Sequence, residues 1–311
     1  MTVVPAPVTV VIVHHRQPDK CLATCQAFSE QDLPVRLLVV DNGSSPDDVG
    51  RLRERADVEI LALGANRGFG PGANAGLRRW LEGGTGEWAV VAPHDARPRP
   101  GSLARLVAVA EGRSRAGIAC GEYGDDTRAA VDPYFGGLVF PLDVPGPWVS
   151  TTHPHGTMLG LRRSCLAEIG LFDERYFAYV EEADLALRAV AAGWEVGMVL
   201  GAVVDNPGTS VVRPVVDYLQ TRNTLLLLHD HFGRYNAAVR LTLGILGTLH
   251  EQLVPSRRAP WFNGRARWLA MADFLRGRFG PPSRYLHAGL DVADRRGSDD
   301  VGLVVVPTRP A

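Results

Sequence analysis

The run Val8-Thr-Val-Val-Ile-Val13 decides the fold class of this chain. A continuous β-branched run of this kind predicts a strand that is buried on both faces of a parallel sheet. The same pattern predicts an α/β fold, because strands and helices then alternate, which favours an open, mostly parallel sheet with helices on both faces. Further strands are predicted at residues 35–40, 58–63 and 88–92, and helices at residues 20–31, 47–55 and 103–111. A glycine turn at residues 66–76 is predicted to open another helix that ends at about Leu81.

Composition and charge limit the classes of function. The chain has 311 residues, of which 46% are hydrophobic, and its 33 basic and 34 acidic residues leave a net charge of -1. This balance gives no global argument for a nucleic-acid partner, and we expect none. The four cysteines form no paired zinc-like set, so we expect reduced thiols and a cytoplasmic protein. No apolar run approaches the length that spans a bilayer, and the first residues predict a core strand rather than a signal peptide.

Two carboxylates follow predicted strands, at the edge where open parallel sheets bind ligands. Asp41, followed by Asn42, could accept hydrogen bonds from a base or a ribose, although an Asp in an Asp-Asn-Gly turn often only caps the turn. Asp95 could hold a hard divalent cation that takes phosphate oxygens as further ligands. A solvated loop Asp is the alternative.

The glycine turn between residues 66 and 76 supports two hypotheses. Its segment Gly68-Phe-Gly-Pro-Gly-Ala73 fits the dinucleotide pattern G-x-G-x-x-A, which makes a dinucleotide-dependent oxidoreductase a competitor. Against it, the motif follows the third strand, Pro71 removes an amide, and only Glu87 stands near the position of the acid that would bind ribose. Arg67 in this turn could pair with a phosphate.

The acidic segment Tyr179-Val-Glu-Glu-Ala-Asp184 places three carboxylates in four positions at the start of a predicted helix. Three acids beside aromatic residues indicate a site that takes up a proton or faces a cation. Two histidines, His153 and His155, precede this segment in a predicted loop. They could belong to a functional site, but a pair of loop histidines without a function explains them equally well.

These motifs, taken in order, resemble the inverting family 2 glycosyltransferases with the GT-A fold, in particular the rhamnosyltransferase and galactofuranosyltransferase branch. The resemblance covers residue 8 to at least residue 228. The motifs that carry it are Val39-Val-Asp-Asn-Gly-Ser-Ser45, Asn66-Arg-Gly-Phe-Gly-Pro-Gly-Ala-Asn-Ala-Gly76, Gly170-Leu-Phe-Asp-Glu-Arg-Tyr-Phe177, Tyr179-Val-Glu-Glu-Ala-Asp-Leu185, Arg188 with Gly193-Trp194, and Tyr218 with Arg222-Asn223.

The resemblance implies roles for these residues. Glu182 falls where the family places its general base, while Glu181 and Asp184 would orient the site or bind acceptor hydroxyls. Asp95 would hold a divalent metal, Mg2+ or Mn2+, on the diphosphate of the donor. The donor would be a nucleotide-diphosphate sugar, with dTDP-rhamnose favoured over UDP-galactofuranose, UDP-galactose or UDP-glucose. It would be bound by Asp41, Asn42, Arg67, Gly68, Asn74 and Arg16.

The chain departs from the family pattern at three places. His94-Asp95-Ala96 lacks the second Asp of many relatives, and Asp205 stands where many of them carry a metal-binding His. Asp205 could still bind a hard cation. The first strand ends in His14-His15-Arg16 instead of Thr-Tyr-Asn, and Arg16 could pair with a phosphate. These departures motivate a second hypothesis, a catalytically silent homologue that binds nucleotide sugars.

The resemblance also implies a domain organisation. We expect a GT-A catalytic domain at residues 1–215, with a donor half at 1–115 and an acceptor half at 116–215. A helical region at 216–297 and a flexible tail at 298–311 would follow. Six arginines and several aromatic residues between 257 and 278 suit a peripheral contact with an anionic membrane, or packing within the protein or a homodimer. A membrane contact would fit a glycan or lipid-linked acceptor at the inner face of the plasma membrane.

Overall fold

A computed structural model describes residues 6–55, 57–142, 145–206, 213–258 and 262–282. The strands in these residues are β1 (Val8–His14), β2 (Val35–Asp41), β3 (Val58–Ala62), β4 (Trp88–Pro93), β5 (Arg97–Pro98), β6 (Ala116–Glu122), β7 (Thr127–Asp132), β8 (Gly136–Pro141), β9 (Trp148–Ser150), β10 (Leu159–Arg162) and β11 (Glu195–Asp205). The helices are α1 (Pro18–Ser29), α2 (Pro46–Arg53), α3 (Phe69–Gly83), α4 (Ser102–Glu111), α5 (Arg163–Ile169), α6 (Glu181–Ala191), α7 (Arg213–Leu253) and α8 (Gly264–Leu275).

The chain forms two compact units. The first unit comprises Met1–Ala130, Val139–Asp173 and Glu182–Pro207, and the second comprises Val131–Leu138, Glu174–Glu181 and Gly208–Ala311. The predicted tail at residues 298–311 lies outside the described residues.

The first unit contains a central sheet in the order β3-β2-β1-β4-β10-β6-β11-β5, with β9 also paired to β11. The strands β1, β2, β3 and β4 are parallel, as are β6 and β11, so the predicted α/β fold with a mostly parallel sheet is confirmed. The strand β10 runs antiparallel between β4 and β6. Since the chain leaves β1 toward β3 and returns on its other side at β4, the topological switch point lies between β1 and β4.

Alternate residues of the central strands enter two different hydrophobic layers, as a strand buried on both faces requires. Val10 and Ile12 of β1 face the layer formed with α1 and α4, whereas Val11 and Val13 face the layer formed with α3, α5 and α6. Helices therefore cover both faces of the sheet. The cysteines Cys21, Cys25, Cys120 and Cys165 are buried free thiols, as the sequence predicted.

The second unit is built mainly from α7 and α8. Gly233, with φ 89° and ψ 174°, interrupts the helical backbone of α7 and divides it into two helical segments. A small core joins Tyr218 and Leu219 of α7 to Ala266 and Ala270 of α8. Among the described helices, none has the length and hydropathy needed to cross a membrane.

Gly76 allows α3 to approach the sheet closely. A Cβ atom at this position would collide with Val11 Cγ1 and lie 3.0 Å from Val40 Cγ2. Only a residue without a side chain fits, because interiors are packed to crystal-like density. The position of the glycine turn at the head of α3 therefore depends on this contact.

We expect Gly76→Ala to lower the free energy of unfolding by about 1–3 kcal/mol, because the added methyl group overpacks the contact with Val11 and Val40. Gly50→Ala is the matched control, since Gly50 lies inside α2 with nothing within 4 Å of its would-be Cβ. That control should gain roughly 1 kcal/mol from helix propensity. Urea denaturation of both variants measures the difference, and equal effects would contradict the packing argument.

Candidate active site

Asp41 lies buried at the end of β2, beside His14 at the end of β1. The Nδ1 atom of His14 is 3.0 Å from Asp41 Oδ1, and the backbone N–H of Gln17 donates to His14 Nε2 at 3.1 Å. The proton of His14 therefore sits on Nδ1, facing the carboxylate. Burial by itself would raise the pKa of Asp41, but hydrogen bonds from His14 and Ser44 outweigh it and bring the pKa below its ordinary value. Asp41 is therefore an ionised hydrogen-bond acceptor whose position is fixed by His14 and Ser44.

Asn42 joins the end of β2 to the glycine turn. Its Nδ2 donates to the backbone carbonyl of Gly68 at 2.9 Å and to Asn66 Oδ1 at 3.2 Å, while its Oδ1 accepts from the backbone N–H of Arg67 at 2.8 Å. Gly68 has a φ of 100°, which favours glycine. The side chain of Asn42 therefore positions the turn.

The two arginines predicted to bind phosphate, Arg16 and Arg67, are exposed on loops that follow β1 and β3. The backbone of Arg16 lies in the left-handed region with a φ of 54°, and its N–H donates to Ser44 Oγ at 2.8 Å. The loop after β1 is thus attached to the loop that carries Asp41. Arg16 and Arg67 thus follow two parallel strands of the sheet, β1 and β3, on the side of their carboxyl ends.

Asn74 connects α3 to the segment that precedes the acidic residues. Its Nδ2 donates to the backbone carbonyl of Phe172 at 2.9 Å, and its Oδ1 accepts from the N–H of the same residue at 3.0 Å. Asn74 is buried, and its two bonds satisfy both the backbone N–H and the backbone carbonyl of Phe172. In a sheet these two groups would be paired with a neighbouring strand. Asn74 positions the backbone of the site.

Asp95 is buried just beyond β4, at the switch point. Its neighbour His94 has its ring 5.8 Å from that of His14, and burial lowers the pKa of His94 to about 3. A neutral His94 contributes no positive charge beside the buried Asp95 carboxyl group.

Asp205 ends β11 and is paired with Arg99. The guanidinium group donates from Nε and Nη2 to the two carboxylate oxygens at 2.9 and 2.8 Å, and this bond holds the pKa of Asp205 below its ordinary value. Both side chains are about half exposed, and a pair of this kind is worth only about 0–1 kcal/mol. Asp205 is thus an ionised carboxylate that already has a cationic partner.

Glu182 is buried in the first turn of α6. A Cβ on Gly156 would collide with its Oε1 atom, so the backbone that leads into β10 lies directly against the carboxyl group. Burial raises the pKa of Glu182 to about 7, and a backbone hydrogen bond opposes this only in part. A carboxyl group with a pKa near neutrality is suited to accept and release a proton.

Tyr123, Thr157 and His155 complete the surroundings of Glu182, and the sequence did not identify Tyr123 or Thr157. The Tyr123 hydroxyl lies 2.5 Å from Thr157 Oγ1, and the His155 ring stacks on the phenol at 4.0 Å. Burial and the negative charges of Glu182 and Asp95 raise the pKa of Tyr123 above its ordinary value. Asp95 and Glu182 thus both lie within electrostatic reach of one phenol.

A signal for Tyr123 was present in the sequence. The residue directly follows β6, whose carboxyl end lies at the same edge as that of β4. Gly117 and Gly121 interrupt the apolar pattern of β6, and β6 was therefore not among the strands predicted from the sequence. Had β6 been identified, the rule that ligands bind at the carboxyl ends of parallel strands would have made the residues at its end candidates for the site.

Asp184 faces Arg188 one helical turn later. Its Oδ2 atom accepts from Arg188 Nε and Nη2 at 3.0 and 2.9 Å, and the same guanidinium donates to the carbonyls of Ile169 and Leu171 at 2.6 and 2.8 Å. Asp184 therefore orients an arginine that holds the backbone before Phe172.

Glu181 belongs to the second unit and is fully buried. The preceding residues have unusual backbone conformations, with φ of 67° at Phe177, 68° at Tyr179 and 74° at Val180. Such values are rare for non-glycine residues and strained for a β-branched one. Asn223 stabilises this backbone, because its Nδ2 donates to the carbonyls of Tyr176, Ala178 and Tyr179 at 2.8–2.9 Å. This contact gives a structural reason for the Arg222-Asn223 motif.

The sequence profile of Glycosyl transferase family 2 matches residues 9–170. The chain belongs to this family. The matched residues include Asp41, the glycine turn and Asp95, and they end before the acidic segment. Membership makes this protein a glycosyltransferase and overturns the hypothesis of a dinucleotide-dependent oxidoreductase.

Relatives place this glycosyltransferase in the branch that its motifs indicated. It is 31% identical over 261 residues to an N-acetylglucosaminyl-diphospho-decaprenol L-rhamnosyltransferase of Mycobacterium tuberculosis, which covers 72% of this chain and 84% of the relative. It is 28% identical over 230 residues to the galactofuranosyltransferase GlfT1 of the same organism, with 66% and 72% covered.

Solved structures show the same fold. The mannosyltransferase PcManGT from Pyrobaculum calidifontis, in complex with GDP-Man and Mn2+, has a TM-score of 0.56 at 15% identity and covers 88% of this chain and 87% of that one. GalNAc-T7 with UDP, GalNAc and Mn2+ has a TM-score of 0.54 at 15% identity, over 65% of this chain and 43% of that one. These similarities establish the GT-A fold of this family 2 glycosyltransferase.

The raised pKa of Glu182 predicts a stability effect. Since the folded pKa of about 7 lies above the ordinary 4.5, the folded state binds the proton more tightly, and stability falls as pH rises from about 4.5 to above 7. Glu182→Gln removes this cost, so the variant should become more stable than the wild type across that window. The gain at pH 8 should be on the order of 3 kcal/mol.

Denaturant titrations at several pH values measure this difference. The exposed residue Glu54 at the end of α2 provides the control, and Glu54→Gln should show no comparable change with pH. A constant difference between Glu182→Gln and the wild type from pH 4.5 to 8 would contradict the burial argument.

Proposed function

We propose that this protein is an inverting glycosyltransferase that moves a sugar from a nucleotide-diphosphate donor to an acceptor hydroxyl, with Glu182 as the general base. The observation that carries the proposal is the buried Glu182 carboxyl, whose pKa is raised to about 7, in reach of the same phenol as Asp95. A single displacement at an anomeric carbon requires a base that accepts the proton of the acceptor hydroxyl. Glu182 would be this base, and Asp95 would be the carboxyl group on the donor side.

The proposed reaction is one in-line step. Glu182 accepts the proton of the acceptor hydroxyl while that oxygen attacks the anomeric carbon of the donor sugar. The bond between the anomeric carbon and the diphosphate oxygen breaks, and the nucleoside diphosphate leaves with the bonding electrons. The burial that raises the pKa of Glu182 makes it a stronger base than an exposed carboxylate would be. Glu181 and Asp184 would support the site by position rather than by proton transfer.

The donor would lie along the ends of β1, β2 and β4. Asp41 would accept a hydrogen bond from the base or the ribose, and its lowered pKa keeps it ionised for this role. Arg16 and Arg67 are exposed where they could pair with the diphosphate, while Asn42, Gly68 and Asn74 would shape the turn beneath it. Similarity to an L-rhamnosyltransferase favours dTDP-rhamnose as the donor, and similarity to GlfT1 keeps UDP-galactofuranose and UDP-hexoses as alternatives.

The acceptor would be bound by the residues beside Glu182. His155 Nε2 is 2.7 Å from the carbonyl oxygen of Gly121, so it donates its proton there and Nδ1 is left as an acceptor. Burial lowers the pKa of His155 to about 4, which keeps the ring neutral near pH 7. A neutral acceptor nitrogen stacked on Tyr123 is suited to take a hydrogen bond from a sugar hydroxyl.

A divalent metal, Mg2+ or Mn2+, fits Asp95 better than Asp205. Asp95 is a buried carboxylate at the switch point, and hard cations in such sites use one or two carboxylates together with substrate phosphates. In the part of the chain that the structure describes, no group of three His, Cys, Asp or Glu side chains could hold a metal by itself. When bound, the metal would neutralise the charge that develops on the leaving diphosphate. Asp205 could join it only by releasing Arg99.

The acceptor of this protein would be a lipid-linked glycan, because the similar rhamnosyltransferase is named for the acceptor N-acetylglucosaminyl-diphospho-decaprenol. Such an acceptor implies work at the inner face of the plasma membrane. For residues 257–278 the sequence left two alternatives open, a peripheral membrane contact and packing within the protein or in a homodimer.

We expect Glu182→Gln to lower kcat by about 10²–10⁴-fold, since the amide cannot accept the proton. Donor binding, measured as a thermal shift with dTDP-rhamnose or UDP sugars, should survive. In the wild type kcat/KM should rise with pH and level off above about 7, as Glu182 becomes ionised. Glu181→Gln is the matched control and should keep most of the activity. A wild type without turnover would support the catalytically silent homologue instead.

We expect Asp95→Asn to abolish the effect of Mg2+ or Mn2+ on nucleotide-sugar binding, because the metal loses its proposed carboxylate ligand. Asp205→Asn should weaken the metal effect less, since its carboxylate is shared with Arg99. Thermal shifts with and without the metal separate the two variants. An Asp95→Asn protein that still responds to metal like the wild type would refute the assignment.

A further inference from the structure

Gly156 lies where the proposed base meets the backbone. A Cβ atom on Gly156 would collide with Glu182 Oε1 and would lie 3.3 and 3.4 Å from Cδ and Cγ of the same side chain. These are its three nearest heavy atoms, so what excludes a side chain at this position is the carboxyl end of Glu182. The backbone conformation does not require a glycine here, because the φ of Gly156 lies outside the left-handed region. The missing side chain therefore serves the contact with Glu182.

The backbone at Gly156 is held from both sides. His155 Nε2 donates to the carbonyl of Gly121 at 2.7 Å, and the imidazole stacks on the ring of Tyr123 at 4.0 Å. On the other side, Thr157 Oγ1 lies 2.5 Å from the Tyr123 hydroxyl. The strand β10, which follows this turn, is paired with β4 on one edge and with β6 on the other. The turn therefore cannot recede without breaking these contacts.

The helix that carries Glu182 is held as well. Asp184 pairs with Arg188, whose guanidinium group donates to the carbonyls of Ile169 and Leu171 at 2.6 and 2.8 Å. Within the residues that the structure describes, no other side chain donates a hydrogen bond to the carboxyl group of Glu182. Packing rather than hydrogen bonding therefore places this carboxyl group, and the glycine backbone is one wall of the packing.

We propose that Gly156 is a positioning residue for the general base, because its bare backbone fixes where the carboxyl group of Glu182 stands. This inference rests on the proposed function and deepens it by naming the residue through which the fold places the base. A methyl group on Gly156 would have to displace the carboxyl group, since the turn and the helix on either side of the contact are both fixed in a close-packed interior.

The same contact governs the proton affinity of the base. Burial raises the pKa of Glu182 to about 7, and a backbone hydrogen bond opposes the rise only in part. The neighbouring Tyr123 and His155 are neutral near pH 7, because burial raises the pKa of the phenol and lowers that of the imidazole to about 4. On α6 itself the neighbouring acids are Glu181 and Asp184, and the second is already paired with an arginine. A displaced carboxyl group would move toward water, so its pKa would fall toward 4.5.

The variant Gly156→Ala tests the proposal through the pH dependence of transfer. We expect kcat to fall about 10–100-fold, because a misplaced base loses its alignment with the acceptor hydroxyl. The midpoint of the kcat/KM profile should move from about 7 toward 4.5 by about one pH unit or more. Gly160→Ala is the matched control, since its Cβ would lie 2.9 Å from Leu106 Cδ2 and 3.3 Å from the carbonyl oxygen of Ala119. The control should lose stability and keep the wild-type pH profile.

A double-variant cycle separates positioning from general damage to the fold. In the Glu182→Gln background the base is absent, while the side chain keeps its shape. Adding Gly156→Ala there should lower the remaining rate by less than about twofold, although its cost in stability should be the same in both backgrounds. An equal loss of rate with and without the base would give Gly156 a purely structural role and overturn the proposal. An unchanged pH midpoint in folded Gly156→Ala would overturn it too.

A second double variant decides the matter if Gly156→Ala does not fold. Glu182→Asp withdraws the carboxyl group by one methylene, so G156A/E182D should fold and be more stable than G156A alone. No recovery would place the collision elsewhere and overturn the proposal.

Denaturant titrations examine the contact without any turnover. The stability gained from Glu182→Gln at pH 8 should be smaller in the Gly156→Ala background than in the wild type, because the displaced carboxyl group has a lower pKa. An equal gain in both backgrounds would refute the positioning contact. A Glu182→Gln enzyme that keeps full activity would instead refute the proposed function, and these titrations would still report on the contact.

Discussion

Two buried asparagine amides hold together the loops at the carboxyl ends of the parallel strands. Asn42 fixes the glycine turn to the end of β2, and Asn74 fixes the start of α3 to the backbone of Phe172. Breaking either one would leave buried backbone groups without partners, which costs about 1–3 kcal/mol each. These amides join segments that lie 25 to 98 residues apart in the chain. The positions of the glycine turn and of the backbone at Phe172 both depend on them.

The fold shifts the pKa values of two buried carboxyl groups in opposite directions. Asp41 receives hydrogen bonds from His14 and Ser44, and these hold its pKa below the ordinary value. Glu182 lies against the backbone of Gly156 with little to stabilise its charge, and its pKa rises to about 7. Two carboxylates with different environments can take different roles, one as a fixed acceptor and the other as a base. His14, at the end of β1, supplies the donor to Asp41.

Charge is unevenly distributed along the chain, since residues 234–278 contain eight arginines and two acidic residues while the whole chain has a net charge of -1. These residues belong to the second unit, and the acidic surplus lies elsewhere in the sequence. The same unit supports the left-handed backbone of Phe177, Tyr179 and Val180 through the amide of Asn223. Backbone strain of roughly 1–3 kcal/mol per residue persists only where the surroundings fix it, and here three carbonyls share one amide.

The sequence by itself determined the fold class, the order of the first four strands and helices, and the family. These follow from local patterns, since β-branched runs mark buried strands and Asp41, Asp95 and the glycine turn follow such runs directly. Only the tertiary structure placed Tyr123, Thr157 and Gly156 around Glu182, because those contacts join residues that lie far apart in the chain. It also paired Asp205 with Arg99 and left Leu246 and Leu253 of α7 exposed. Pairing and exposure depend on which surfaces meet after folding, and local sequence carries no record of that.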